Sequence, residues 1–409
     1  MRRGGVVSTQ ALQSAAPSPA ALRPRPLRVA HFTNALQRGG AEQHILGLLR
    51  HLDPSRFQQW LVCPPELAAQ LAPDLPATAG VWRCLLRRPR HVKAAIQFSQ
   101  WLRRQRVDVV HSHLFYSSLF ATPVARWVHV PVVVETPHLR EHWRQGWKAH
   151  YFVDRCLSRW VSGYIAVSNA NAQYLRQTKG IAPGKIRVIC NGVHLSELTP
   201  SDSGAAAVAL RARLGLDESN PLLLVPGRLE TQKGHAVLLR ALTRIREAFP
   251  LTHAAFAGEG SLRAELTNQA AALGLGRAVH FLGRQSDIAA WLAAADVVVL
   301  PSWFEGMPLA AIEALAMARP MVATAVDGTV EVIAHERTGL LVPPGDPVAL
   351  AQAICRLLGD PRLARRLATV GQQSVQRFDI RLQATATGAL YEELWRRKMG
   401  ALVQRREEA

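Results

Sequence analysis

The chain has 409 residues, 48% of them apolar, and a formal charge of +19. That length exceeds what one core ordinarily organises and predicts two domains. No run of 18 or more apolar residues occurs, which argues against a membrane-spanning helix, and five scattered cysteines argue for a reducing, cytoplasmic setting with no disulfide frame or metal cluster.

Residues 1–26, "MRRGGVVSTQALQSAAPSPAALRPRP", are rich in Ala and Pro and lack an apolar stretch of signal-peptide length, so they read as a disordered leader. From residue 27 short apolar runs alternate with helical ones: "LRVAHFT", "QWLVCP", "VDVVHS", "VPVVVET" and "GYIAVS". Runs apolar on both faces, separated by helices, predict a parallel sheet covered on both sides. This first unit spans 27–197. The polar and small-residue stretch 198–220 reads as a linker. A second series then fills 221–380, with "PLLLVPGRL", "THAAFAG", "AVHFLG", "ADVVVLPS", "PMVAT" and "GLLVPP". Residues 381–409 read as one amphipathic helix with no strand after it, expected to fold back across the domain boundary. The fold class is therefore α/β, two doubly wound parallel sheets, with ligand in the cleft at their strand ends.

Strong positive charge leaves nucleic acid, anionic membrane or small anions as partners. Residues 82–106 carry eight Lys/Arg and no acid. On a helical wheel over 140–160, Arg144, Lys148, Arg155 and Arg159 share one sector, flanked by Trp143, Trp147 and Tyr151. Cations beside aromatics suit an interfacial helix on anionic lipid; an ordinary amphipathic helix with its aromatics in the core is the competing account.

The chemistry concentrates in the second unit. "SWFEGMPLAAIEAL", 302–315, follows the strand "DVVVL". Pro308 suits a first helical turn, so a helix is expected from about Met307, with the amides of Gly306, Met307 and Leu309 unpaired. Such a terminus attracts anions. Glu305 stands beside it and Glu313 lies one and a half turns inside. A salt-bridged or capping acid pair would explain the two glutamates without any ligand. "VPGRLETQKGH", 225–235, places Arg228 and Lys233 around a glycine turn at another strand end, where they could clamp a diphosphate. Both features in one half favour a site.

"GRLETQKG" and the stretch from "SWFEGMPLAAIEAL" to "GDPVALAQAI" resemble the family 4 retaining glycosyltransferases of the GT-B fold. "TNALQRGGAEQHILGLLRHL", "VDVVHSH" and "IRVICNGVH" are similar to that family's first domain, and the resemblance runs over roughly 27–380. It implies an acceptor-binding first domain and a second domain binding a nucleoside diphosphate sugar, UDP-linked by expectation, with no cofactor. Arg228 and Lys233 would hold the diphosphate, Glu313 the ribose hydroxyls and Glu305 the transferred sugar, with the amides of Gly306, Met307 and Leu309. Gly39 and Gly40 would let backbone approach the diphosphate. Phe281, Leu282 and Gly283 would border the base. His113 matches the family's active-site histidine, with His111 as alternative. The chain departs from the family at His194, where an acid usually follows Asn-Gly-Val.

These parts imply charge stabilisation of a departing diphosphate without a metal, since no Asp-x-Asp signature occurs, and retention at the anomeric carbon by same-face attack. The acceptor expected is a glycan or a lipid-linked precursor in cell-envelope polysaccharide or lipopolysaccharide synthesis, reached from the inner face of the cytoplasmic membrane. A sugar-nucleotide epimerase or hydrolase on the same fold is one alternative. A basic nucleic-acid-binding protein is another, and it has only the charge behind it: no zinc spacing, helix-turn-helix or RNA-binding strand motif accompanies it. A degenerate binding module is disfavoured by the presence of every charged site residue.

Overall fold

The computed structural model describes residues 25–141, 148–198 and 204–407. Almost all of the expected leader, together with Trp143, Arg144 and Trp147, lies outside the described residues.

The first sheet contains β1 (Leu27–Phe32), β2 (Phe57–Cys63), β3 (Ala79–Arg83), β4 (Val109–His113), β5 (Val132–Thr136), β6 (Gly163–Ala166) and β7 (Ile186–Val188). Its order is β3-β2-β1-β4-β5-β6-β7. The second contains β8 (Leu222–Pro226), β9 (His253–Ala257), β10 (Val279–Phe281), β11 (Val297–Leu300), β12 (Met321–Thr324) and β13 (Leu340–Val342), in the order β10-β9-β8-β11-β12-β13. All pairings are parallel. The central strands β4, β5, β8, β11 and β12 are buried along their whole length. Helices on both faces demand that, and it is why these strands appear in sequence as unbroken apolar runs. The edge strand β3 is only half-buried and has no such run, so it escapes the sequence reading.

Each sheet reverses its strand order once, between β1 and β4 in the first and between β8 and β11 in the second. Loops leaving the carboxyl ends of those neighbours diverge to opposite faces and open a crevice. The sequence segments singled out above leave these same strands.

The linker expectation for 198–220 needs correction. Residues Gly204–Arg213 form a helix that belongs to the second domain. Ala207 and Leu216 join its core, and Arg211 donates to the Ala294 carbonyl at 2.8 Å while pairing with Asp296 at 3.1 Å. An alanine-rich stretch looks featureless by hydropathy, yet alanine is the best helix former.

The final helix, Ile380–Glu407, packs on the first domain. Leu390, Tyr391 and Leu394 share a core with Leu27, Val29 and Ile165. The chain thus crosses between domains twice, and the two crossings lie against each other. Val193 N–H donates to the Phe378 carbonyl at 2.9 Å, and Ile380 N–H to the Val193 carbonyl at 3.0 Å. Glu331 adds a clamp. Its carboxylate accepts from the backbone amides of Asn169 and Ala170, each at 2.9 Å, at the start of the first-domain helix Asn169–Gln177. An acid there satisfies orphan amides and the helix dipole together.

Candidate active site

The wall built by the second domain comes from two adjacent loops. Lys233 follows β8 and Glu305 follows β11, and their side chains pair at 2.7 Å, Lys233 Nζ to Glu305 Oε1. Ser302 Oγ donates to the same oxygen at 2.7 Å. Glu305 is buried, so its charge needs these partners. Gly234 makes the loop apposition possible. It sits at φ 64°, a left-handed conformation, and a Cβ there would overlap the carbonyl of Pro301. Arg228 lies exposed on the β8 loop.

The helix after β11 runs Leu309–Ala316 with Pro308 as its N-cap, slightly later than the expected start at Met307. Among the described residues no carbonyl takes the amides of Gly306, Met307 or Leu309. Glu313, inside this helix, is half-buried and has no side-chain partner among the described residues; burial pushes its carboxyl up to about 7. Phe281 ends β10, two strands from β8, and Leu282 follows it; both are half-buried, as is Gly283 at φ 68°.

The facing wall belongs to the first domain. Gly39 caps the helix Gly40–His51, and Leu309 lies opposite Gly40: a Cβ on Gly40 would be 4.0 Å from Leu309 Cδ1. The expected glycine loop and the expected anion-binding helix therefore meet across the cleft. Gly306 touches the first domain directly, since a Cβ there would overlap the carbonyl oxygen of His138.

His113 ends β4 and is fully buried, as is His111. In front of it stands His138, just after β5, 7% exposed, with His138 Nε2 at 3.4 Å from His113 Nδ1. Of these three histidines only His138 has any exposure. His111 is committed elsewhere, bonding Tyr391 OH at 2.5 Å and Thr136 Oγ1 at 2.6 Å. Burial and the other imidazoles hold all three histidines well below the usual range, so they are neutral near pH 7.

Several residues without a sequence motif of their own complete the cleft. Glu42, in "GGAE", is buried at the start of the first helix and accepts from Thr33 Oγ1 at 3.4 Å. Burial raises its carboxyl, and the Arg228 guanidinium across the cleft partly offsets that. Arg140 pairs with Asp327 at 2.9 Å between domains, and Asp327 accepts from the Glu305 amide at 3.4 Å. Asn191 of the Asn-Gly-Val turn donates to the Met307 carbonyl at 3.3 Å and holds His44 Nδ1 at 3.0 Å. His194, in place of the usual acid, faces His51 at 3.1 Å. The one sequence signal for Arg140 and Asp327 is position, each lying a few residues beyond a strand end, whereas Glu42 belongs to the glycine-loop segment.

Of the expected surface cations, Arg155 and Arg159 are exposed, and Lys148 begins the helix Lys148–Ser158. Arg159 lies just past its end. Phe152 and Trp160 are also exposed, whereas Asp154 and Leu157 face inward.

The chain is similar in sequence and fold to known proteins. Residues 38–197 match the Glycosyltransferase Family 4 model and residues 220–360 the Glycosyl transferases group 1 model. A glycogen synthase of Mycobacterium tuberculosis is 33% identical over 71% of this chain and 69% of its own. A D-inositol 3-phosphate glycosyltransferase of Streptomyces bingchenggensis is 28% identical over 85% of this chain and 76% of its own. Among solved structures, Anabaena HepE in complex with UDP and glucose superposes with a TM-score of 0.79 at 21% identity, covering 90% of this chain and all of that one. With two facing parallel-sheet domains and both family matches lying across their cleft, the chain belongs to the family 4 glycosyltransferases of the GT-B fold.

Proposed function

We propose that this glycosyltransferase is a retaining, metal-independent hexosyltransferase that takes its sugar from a UDP-linked donor and passes it to a glycan or glycolipid. The observation that carries the reading is the Lys233–Glu305 pair set beside the open helix end at Gly306–Leu309, with Arg228 exposed on the same β8 loop as Lys233. A nucleoside diphosphate placed there would meet two cations and unpaired amides.

In the step proposed, the bond from the anomeric carbon to the phosphate oxygen breaks and its electron pair stays on the diphosphate. The acceptor oxygen bonds the same face of that carbon, and its proton passes to the leaving phosphate. Negative charge on the leaving group grows toward the transition state, so fixed cations and amides lower the barrier rather than merely tightening binding. Lys233 already rests on Glu305, which orients both; Glu305 then faces the transferred sugar. Glu313, unpartnered and inside the helix, accepts from ribose hydroxyls. Phe281 and Leu282 border the base, and Gly39 and Gly40 admit the diphosphate from the other side. His138, standing in front of His113, is the imidazole we place against the sugar.

A panel of sugar nucleotides in thermal melts would identify the donor, because the correct one stabilises the cleft by mass action. Product mass spectrometry then distinguishes transfer from epimerisation or hydrolysis. Turnover that persists in chelator supports independence from metal; loss restored by magnesium or manganese would overturn it.

The first-domain surface supports a membrane-facing acceptor, as in envelope polysaccharide or lipopolysaccharide assembly on the cytoplasmic side. Phe152, Trp160 and Trp127 are 66%, 44% and 58% exposed, with Arg155 and Arg159 beside the first two and Arg103 over the Trp127 ring. Among the described residues no helix is long and apolar enough to cross a membrane. Co-sedimentation with anionic but not neutral vesicles is expected; equal binding to both would refute surface docking through these cations.

A further inference from the structure

The first-domain wall holds more imidazole than sugar recognition needs. His31, His44, His111, His113 and His138 are all buried, and they come from β1, the helix Gly40–His51, β4 and the loop after β5. Their rings lie close: His111 to His113 at 4.0 Å between centroids, His44 to His138 at 4.7 Å, His44 to His113 at 5.4 Å. One ring nitrogen from each of His44, His113 and His138 lies within 4.8 Å of the other two. His113 Nδ1 and His138 Nε2 are 3.4 Å apart. Two imidazole nitrogens on one tetrahedral zinc, at bonds of about 2.05 Å, would stand about 3.3 Å apart. The other nitrogen of His113, Nε2, is buried with no partner among the described residues.

We propose that His44, His113 and His138 form a binding site for a borderline divalent transition ion, zinc above all, beneath the sugar site. Imidazole suits zinc, copper and nickel, whereas magnesium and calcium prefer oxygen. Part of a supporting shell is in place: Asn191 Oδ1, 3.0 Å from His44 Nδ1, can accept the Nδ1 proton and leave Nε2 for the ion, and His111 lies against His113. Such outer contacts fix ring orientation in metal sites. A fourth ligand would be water or an anion from the cleft, which His138 alone of the three meets at 7% exposure. The ion takes no part in sugar transfer. By capturing His138 it removes that side chain from the sugar site, so zinc acts as a reversible inhibitor, an effect that rests on the function proposed above.

The test uses the full chain without a histidine tag. Titration with cobalt(II) alone should give one equivalent of binding and the intense visible bands of a tetrahedral centre, displaced by zinc. His44→Gln and His113→Gln should each abolish them, whereas His253→Gln, in the separate His253/His280 pair of the second domain, should leave them intact. Asn191→Leu should weaken cobalt binding about tenfold. Because the buried variants could fail to fold, X-ray absorption at the zinc edge of the unsubstituted protein gives an independent count, expected to be three imidazoles. Fewer than three, no visible bands, or bands surviving both substitutions would overturn the site and leave an imidazole cluster that binds only itself. Metal binding with no detectable sugar transfer under any condition would count against the proposed function alone.

Discussion

The two walls of the cleft present opposite chemistry. The second-domain wall carries permanent charge: Arg228 in the open, and the Lys233–Glu305 pair fixed by Ser302. The first-domain wall is mostly neutral imidazole and glycine backbone, with one buried acid, Glu42, whose carboxyl is raised by burial, and one cation, Arg140, committed to Asp327. The difference fits what the proposed function asks of each wall. Holding a diphosphate requires charge that survives any ordinary pH, and guanidinium and ammonium groups supply it. Receiving a sugar, as proposed, calls for hydrogen-bonding groups that do not draw the diphosphate into the wrong orientation.

The largest effect should come from breaking the charged wall. Lys233→Ala leaves Glu305 buried beside a single hydroxyl partner and removes one cation from the leaving group. Turnover should fall by about 10²- to 10³-fold, the scale of deleting one preorganised stabilising group. A loss under tenfold in steady-state kcat would show that the clamp lies elsewhere.

Glu313 sharpens the contrast, because it is an acid within the cationic wall that has no cation of its own. Burial raises it from the ordinary 4.5 to about 7, so the folded protein holds this proton more tightly than the unfolded chain. The stability it contributes is complete below pH 4.5 and is lost as pH rises toward 7. In chemical denaturation Glu313→Gln should therefore be more stable than wild type at pH 8, by up to about 3 kcal/mol, and equally stable at pH 4. The same variant should bind nucleoside diphosphate about tenfold more weakly, since a charge-assisted contact to ribose is gone. In the wild type, donor affinity should fall as pH drops below about 7. A variant no more stable at pH 8 would mean that the carboxylate is solvated after all.

Where the walls touch, Gly306→Ala would press a methyl group into the His138 carbonyl. The cleft must open or the loop must shift, at a cost of about 1–3 kcal/mol, read as a lower melting temperature with a raised KM for both substrates. Smallest of all should be Arg140→Ala. Arg140 is about one-third exposed but Asp327 is mostly buried, so stability should fall by about 1 kcal/mol, and domain closure on donor binding, followed by small-angle scattering, should diminish.

The same contrast governs which parts of the site are legible in the amino-acid sequence. Lys233, Glu305 and Glu313 stand out there because charge beside a buried strand, or inside an apolar helix, is anomalous. The doubly wound sheets are equally legible, since strands such as β8 and β11 are buried on both faces and must be uniformly apolar. The imidazole wall is not. His31, His44 and His138 are scattered over three elements, and only the sheet order brings β1, β4 and β5 together. A histidine in a strand-end "HSH" draws the eye to His113, yet the chain continues through "VVVETPH" to place His138 in front of it. The helix Gly204–Arg213 is hidden for another reason, its face being alanine rather than leucine.

A crystal structure with UDP bound in the cleft bears on the diphosphate clamp more closely than any other experiment. Diphosphate oxygens are expected within hydrogen-bonding distance of both Arg228 and Lys233, with at least one amide of Gly306–Leu309 donating to them. UDP seated away from these groups, or its phosphates turned to the histidine wall, would contradict the clamp.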